Sequence, residues 1–87
     1  MLTVFVVHIA PGADPDKLLS EEIRRETQAQ TMTLTEAKQV GFSGLQIETG
    51  GLEVRLVAVN SRDRSWIHRT LESSDAVARF EAHEVDV

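Results

Sequence analysis

Cysteine is absent from this sequence of 87 residues, and its absence excludes three kinds of chemistry. Without cysteine there is no disulfide bridge, no cysteine-ligated zinc and no thiol nucleophile. A continuous run of about 18 apolar residues is also missing, so no membrane-spanning helix is expected. The first residues carry neither the basic segment nor the small-residue cleavage site of a signal peptide. Together these observations predict a cytoplasmic protein.

Positive charge is scarce as well. The chain has 9 Lys and Arg residues against 14 Asp and Glu residues, which gives a formal net charge of −5. Nucleic-acid binders gain much of their affinity by neutralising phosphates, and anionic membrane surfaces attract basic segments. Because the acidic residues are spread along the chain, the charge indicates solubility. Neither a nucleic acid nor a membrane is expected as a partner.

Motifs for catalysis and cofactor binding are missing from the sequence. It contains no His-x-x-x-His pair, no G-x-G-x-x-G and no P-loop, and Gly50-Gly51 indicates a turn. The serines fall in predicted loops and helix caps, so no Ser-His-Asp arrangement can be assembled. The sequence therefore predicts no metal and no cofactor, and it favours a protein that is not an enzyme.

The stretch Leu2–Ile9 organises what remains. It is rich in β-branched and aromatic residues, and Pro11 and Gly12 end it, which is typical of a buried strand. Both of its faces are apolar, because alternate side chains of a strand point to opposite sides. Such a strand needs cover on both faces, so we expect it at the centre of a sheet.

The later segments predict the remaining elements of one domain, residues 1–87. Asp14 and Pro15 favour a helix start, and Thr33 with Glu36 fits a capping box that opens a second, short helix. A competing interpretation places Met32 and Leu34 in a short strand. Further along, the patterns predict strands at 45–48, 52–59 and 77–85, a hairpin at Gly50-Gly51 and a helix over 62–72.

This order is β-α-β-β-α-β and predicts an α+β fold of ferredoxin-like type. The expected sheet is antiparallel and four-stranded, with order 4-1-3-2 and helices on one face. The other face would then expose apolar side chains from the first and third strands. We expect it to pack against a second copy or a protein partner. The predicted contact residues are Val4, Val6, Val57 and Val59.

Two further groups of residues are candidates for binding. His8 and His83 lie in neighbouring predicted strands, and with Arg55 they could line a cavity enclosed by a dimer. Ser61, Arg62 and Arg64 lie at a predicted helix start, where main-chain N–H groups and arginines attract anions. A simpler interpretation of both groups is that their side chains are exposed to solvent or packed within the fold and bind no ligand.

The leading hypothesis for function is a non-catalytic binding or assembly module, which dimerises or docks on a protein through its open sheet face. One alternative is a small dimeric α+β-barrel-type enzyme or ligand-binding protein that uses His8 and His83. That alternative rests on fold analogy alone. A third is a regulatory domain that binds a small anion at the helix start of residues 60–64.

Overall fold

The computed structural model describes residues 1–41 and 47–85. Within these residues, four strands and three α-helices alternate along the chain. The strands are β1 (Leu2–Ile9), β2 (Gln30–Met32), β3 (Val54–Asn60) and β4 (Val77–Val85). The helices are α1 (Glu21–Thr27), α2 (Leu34–Gln39) and α3 (Arg64–Glu72), with single 3₁₀ turns at Pro15–Lys17 and Ser61–Asp63.

The four strands form one antiparallel sheet of order β2-β3-β1-β4. This confirms the predicted α+β class and the predicted order 4-1-3-2. β1 lies between β3 and β4, and its residues 3–9 are all buried. The doubly apolar pattern of β1 therefore indicated its central position correctly, because only a strand with cover on both faces can bury both sets of side chains.

The second strand is built from a different segment than predicted. β2 comprises Gln30–Met32 and pairs Met32 with Leu56 of β3. In the predicted strand 45–48, residues 45 and 46 lie outside the described residues, and Ile47 and Glu48 belong to no strand. The competing interpretation is confirmed for Met32, which ends β2, and is wrong for Leu34, which begins α2 as the capping box predicts. The strand ends at Met32 because Thr33 caps the next helix.

Local capping explains where the helices begin. The Asp14 side chain accepts a hydrogen bond from the Asp16 N–H, but this cap starts only the first 3₁₀ turn. Ser20 accepts from the N–H of Ile23 and begins α1. Leu18 and Leu19 lie between the two caps and are buried. The predicted first helix is therefore divided, and its apolar residues still reach the core.

Two apolar layers lie on opposite faces of the sheet. In the first layer, α1, α3 and the segment before α1 pack on β1 and β3. Its buried members are Phe5, Val7, Ile9, Leu18, Leu19, Ala29, Val57, Val59, Ile67 and Leu71. In the second layer, α2 packs on the other side of the same strands. Its buried members are Val4, Val6, Met32, Ala37, Val54, Leu56 and Ala58.

The second layer distinguishes the observed fold from a sheet with helices on one face only. Ala37 of α2 is buried there, and Leu34 and Ile47 pack against the same cluster. Within the described residues, no helix is both long and apolar enough to span a membrane.

Candidate functional site

The four residues predicted to form an open contact face do not share a face. Antiparallel pairing sets Val4 opposite Ala58 and sets Phe5 opposite Val57. Side chains opposite each other point to the same side, so Val4 and Val6 lie on one face while Val57 and Val59 lie on the other. That prediction needs correction, because the register between β1 and β3 could not be read from the sequence.

These residues are also buried within a single chain. None of the four is more than 2% exposed. Val4 and Val6 belong to the layer that contains Ala37 of α2, and Val57 and Val59 belong to the layer beneath α1 and α3. These four side chains therefore pack within the described part of the chain and do not form an open face.

His8 and His83 share a sheet face but are far apart. His8 is paired with Arg79 and His83 with Val4, so the two positions are four residues apart along the strand. At the rise of a strand this is about 13 Å, too far for one metal ion. The described residues contain no cluster of three metal-ligating side chains. Arg55 pairs with Val7 on the opposite face, where its guanidinium lies 2.8 Å from Glu53.

The predicted anion site already holds a carboxylate of the same chain. Ser61 Oγ donates a hydrogen bond to Glu84 Oε2 at 2.8 Å, and Arg64 Nη1 lies 2.8 Å from Oε1. Thr3 Oγ1 lies 3.0 Å from both carboxylate oxygens. Arg62 points away and contacts Asp63 at 3.6 Å. An external anion at Ser61 and Arg64 would have to displace Glu84.

This contact changes the acidity of Glu84. The hydrogen bond from Ser61, followed by the one from Arg64, holds the pKa of Glu84 below its usual value of 4.5. Both donors favour the ionised carboxylate, and partial desolvation opposes them only in part. The cluster thus joins the end of β4 to the start of α3.

A groove of about 660 Å³ lies between α3 and β4. Phe5, Phe80 and Ala82 contribute to its lining, and His68 stacks edge-on against Phe80 with ring centres 5.1 Å apart. Its charged groups are largely engaged within the chain: Arg64 binds Glu84, and His68 lies 3.7 Å from Glu72. The groove therefore offers little unsatisfied polar chemistry.

A smaller cleft of about 440 Å³ opens on the other side of β4, beside His8. It is lined by His8, Ile47, Glu48, Arg79, Phe80 and Glu81. His8 is only 3% exposed, and its Nε2 lies 2.8 Å from the Glu48 carbonyl oxygen. Because a carbonyl only accepts, Nε2 carries the proton and Nδ1 of the neutral ring is an acceptor.

His8 Nδ1 is buried and has no hydrogen-bond partner among the described residues. Most buried polar atoms in folded proteins have such a partner. Arg79, directly opposite His8 in the sheet, has no carboxylate at ion-pair distance in the described part of the chain. The cleft thus combines an unused acceptor with an available cation.

Sequence reasoning named His8 but missed Arg79 as its neighbour. The alternation of β4 places Arg79, Glu81 and His83 on one face, and that signal was visible in the sequence. The pairing of His8 with Arg79 depends on the register between β1 and β4, which is continuous from Leu2 to His8. Alternation along the sequence does not determine that register. No protein-family model matches this chain, and no curated protein matches it either.

Proposed function

We propose that this domain is an assembly module that forms a homodimer through the outer edge of β4. The observation that carries the proposal is the length and exposure of this edge. β4 spans nine residues and, within the described chain, pairs with β1 alone. The opposite edge, β2, has only three residues. A long strand paired on one side presents main-chain groups that another strand can bind.

One hydrogen bond determines which main-chain groups of β4 face outward. The Ile9 N–H donates to the Glu53 carbonyl at 2.8 Å, so Ile9 points its main-chain groups toward β3. Directions alternate along an antiparallel strand. The main-chain N–H and C=O groups of the even-numbered residues of β1 therefore point toward β4. It follows that Phe80, Ala82 and Glu84 point their N–H and C=O groups toward the outer edge.

Charge complementarity favours a second copy in an antiparallel arrangement about Ala82. With the two-fold axis at Ala82, Glu81 lies opposite His83 of the second copy, and this pair occurs twice. With the axis at Glu81, two carboxylates would lie directly opposite each other, which destabilises a strand pair. An axis at Phe80 would bring the irregular step of β4 between Val77 and Arg79 into the strand pair, whereas an axis at Ala82 uses only the regular stretch 79–85. The first arrangement is therefore preferred.

Proline at position 82 tests the edge directly. Proline lacks an N–H and is tolerated in an edge strand where that group faces outward. We expect native mass spectrometry and light scattering to give a dimer for the wild type and a monomer for Ala82→Pro, with unchanged circular dichroism. Ala82→Ser keeps the N–H and is the matched control, so it should remain a dimer.

Because the chain contains no cysteine, a single introduced cysteine gives a second test of the same interface. A hydrogen-bonded antiparallel pair has Cα atoms about 5.5 Å apart, which suits a disulfide. Ala82→Cys should form a covalent dimer under oxidising conditions, whereas Ala78→Cys should not. A wild type that stays monomeric at about 1 mM, a dimer that survives Ala82→Pro, or a complex with a different protein only would overturn the proposal.

A further inference from the structure

We infer that the cleft beside His8 is a binding site for a free amino acid with an apolar side chain. The cleft is formed by β1, β4 and residues 47–48 of one chain. The cleft therefore does not require the second copy proposed above. Glu81 takes part in both proposals, whereas Arg79 takes part only in this one and tests it separately.

The first argument is the unsatisfied acceptor at the cleft. His8 is held in one orientation by the hydrogen bond from Nε2 to Glu48, which leaves Nδ1 as a buried acceptor without a described partner. A ligand that donates a hydrogen bond would satisfy it. The bulge in β4 lies beside His8, and bulges often redirect side chains next to functional sites.

The second argument is the pair of opposite charges in the cleft lining. Arg79 and Glu81 lie two residues apart on the same face of β4, about 7 Å along the strand. The forked guanidinium of Arg79 suits a carboxylate. The Glu81 carboxylate and His8 Nδ1 both suit a protonated amine. Glu81 also lies 3.8 Å from His83 Nε2, whereas Arg79 has no carboxylate partner among the described residues. A ligand carboxylate on Arg79 is therefore the main electrostatic contribution to binding.

The third argument is the size and apolar part of the cleft. A volume of about 440 Å³ lies in the lower range of small-molecule sites. Ile47 supplies apolar surface beside the charged pair, whereas the Phe80 ring packs with Phe5 and His68 on the opposite face of the sheet. An amino acid places its carboxylate and ammonium on one carbon, and an apolar side chain then contacts Ile47.

A nuclear magnetic resonance titration with each standard L-amino acid tests the inference on the isotope-labelled full chain. We expect at least one apolar amino acid to bind saturably, with a Kd of about 1 mM or tighter. The perturbed amides should cluster at His8, Ile47 and Arg79. The imidazole nitrogen signal of Nδ1 should shift, because that atom accepts a new hydrogen bond.

Matched ligands and variants identify the contacts. The amide of the bound amino acid lacks the carboxylate, and its N-acetyl derivative lacks the ammonium. Each should bind at least about tenfold more weakly. Arg79→Gln should weaken binding by a similar factor, and Arg69→Gln, an exposed arginine on α3, should leave it unchanged.

Three outcomes would overturn the inference. The first is the lack of any saturable shift at about 10 mM amino acid. The second is binding with shifts away from the cleft, and the third is full affinity in Arg79→Gln. Arg79 is exposed, so its substitution leaves the core intact, and the test needs no substitution of the buried His8.

Discussion

At the scale of single residues, Glu84 shows how a local charge is engaged by distant parts of the chain. Its carboxylate accepts hydrogen bonds from Ser61 and Arg64, 23 and 20 residues earlier in the sequence. Thr3 adds a third donor from β1. The three donors stabilise the ionised form, so folding and ionisation of Glu84 are linked.

Acidification should expose this linkage. The pKa of Glu84 is lowered in the folded state, chiefly by the hydrogen bond from Ser61. Its contribution to stability is therefore complete above the usual value of 4.5 and is lost as pH falls through the folded pKa. Urea unfolding of Glu84→Gln should show a shallower loss of stability below pH 4.5 than the wild type does.

Glu26→Gln provides the control for Glu84→Gln, because it removes the same charge from an exposed position on α1. Its stability should follow the wild-type dependence on pH more closely than that of Glu84→Gln. Identical pH profiles for Glu84→Gln and the wild type would contradict the proposed linkage.

At the scale of elements, α2 is short and depends on its cap. Thr33 Oγ1 accepts from the Glu36 N–H, and the Glu36 carboxylate accepts from the Thr33 N–H, each at 3.2 Å. A helix of six residues has few internal hydrogen bonds, so its end contacts and its packing on the sheet carry most of its stability. The same cap ends β2 at Met32.

Removal of this cap should destabilise the domain. Thr33→Ala loses the side-chain acceptor, and we expect the free energy of unfolding to fall by about 1 kcal/mol. Thr35→Ala, within the exposed part of the same helix, is the matched control and should change stability little or raise it slightly. Chemical denaturation followed by circular dichroism measures both, and equal stability of the two variants would contradict the role of the cap.

At the scale of the whole molecule, a single sheet organises two apolar layers. Val4 lies in the layer with α2, and Val57 lies in the layer with α1 and α3. Both side chains are fully buried. The charge of an introduced aspartate would therefore be removed from water without a partner on either side of the sheet.

Val4→Asp and Val57→Asp should both unfold the domain, by more than about 4 kcal/mol each, because a buried unpaired charge is among the most destabilising changes. Fluorescence of the single tryptophan, Trp66, and circular dichroism report unfolding. A variant that stays folded but becomes monomeric would show instead that the substituted face is a contact surface between copies.

The sequence by itself determined most of the local structure and the order of the sheet. A run of β-branched residues identified β1, alternation identified β3 and β4, and the Thr33–Glu36 capping box identified the start of α2, whereas β2 was predicted at 45–48 and is formed by Gln30–Met32. These signals are local, since they depend on side-chain period and on hydrogen bonds three residues apart. The order of the strands followed because short connections and handed crossovers leave few topologies open.

Only the tertiary structure decided which distant residues meet. Register placed Val4 and Val57 on opposite faces, set Arg79 opposite His8 and brought Glu84 to Ser61. A shift of one residue reverses the face of every side chain, and sequence alternation alone does not determine the register between strands. The candidate cleft and the buried second face therefore depend on long-range pairing, whereas the elements that form them depend on local pattern.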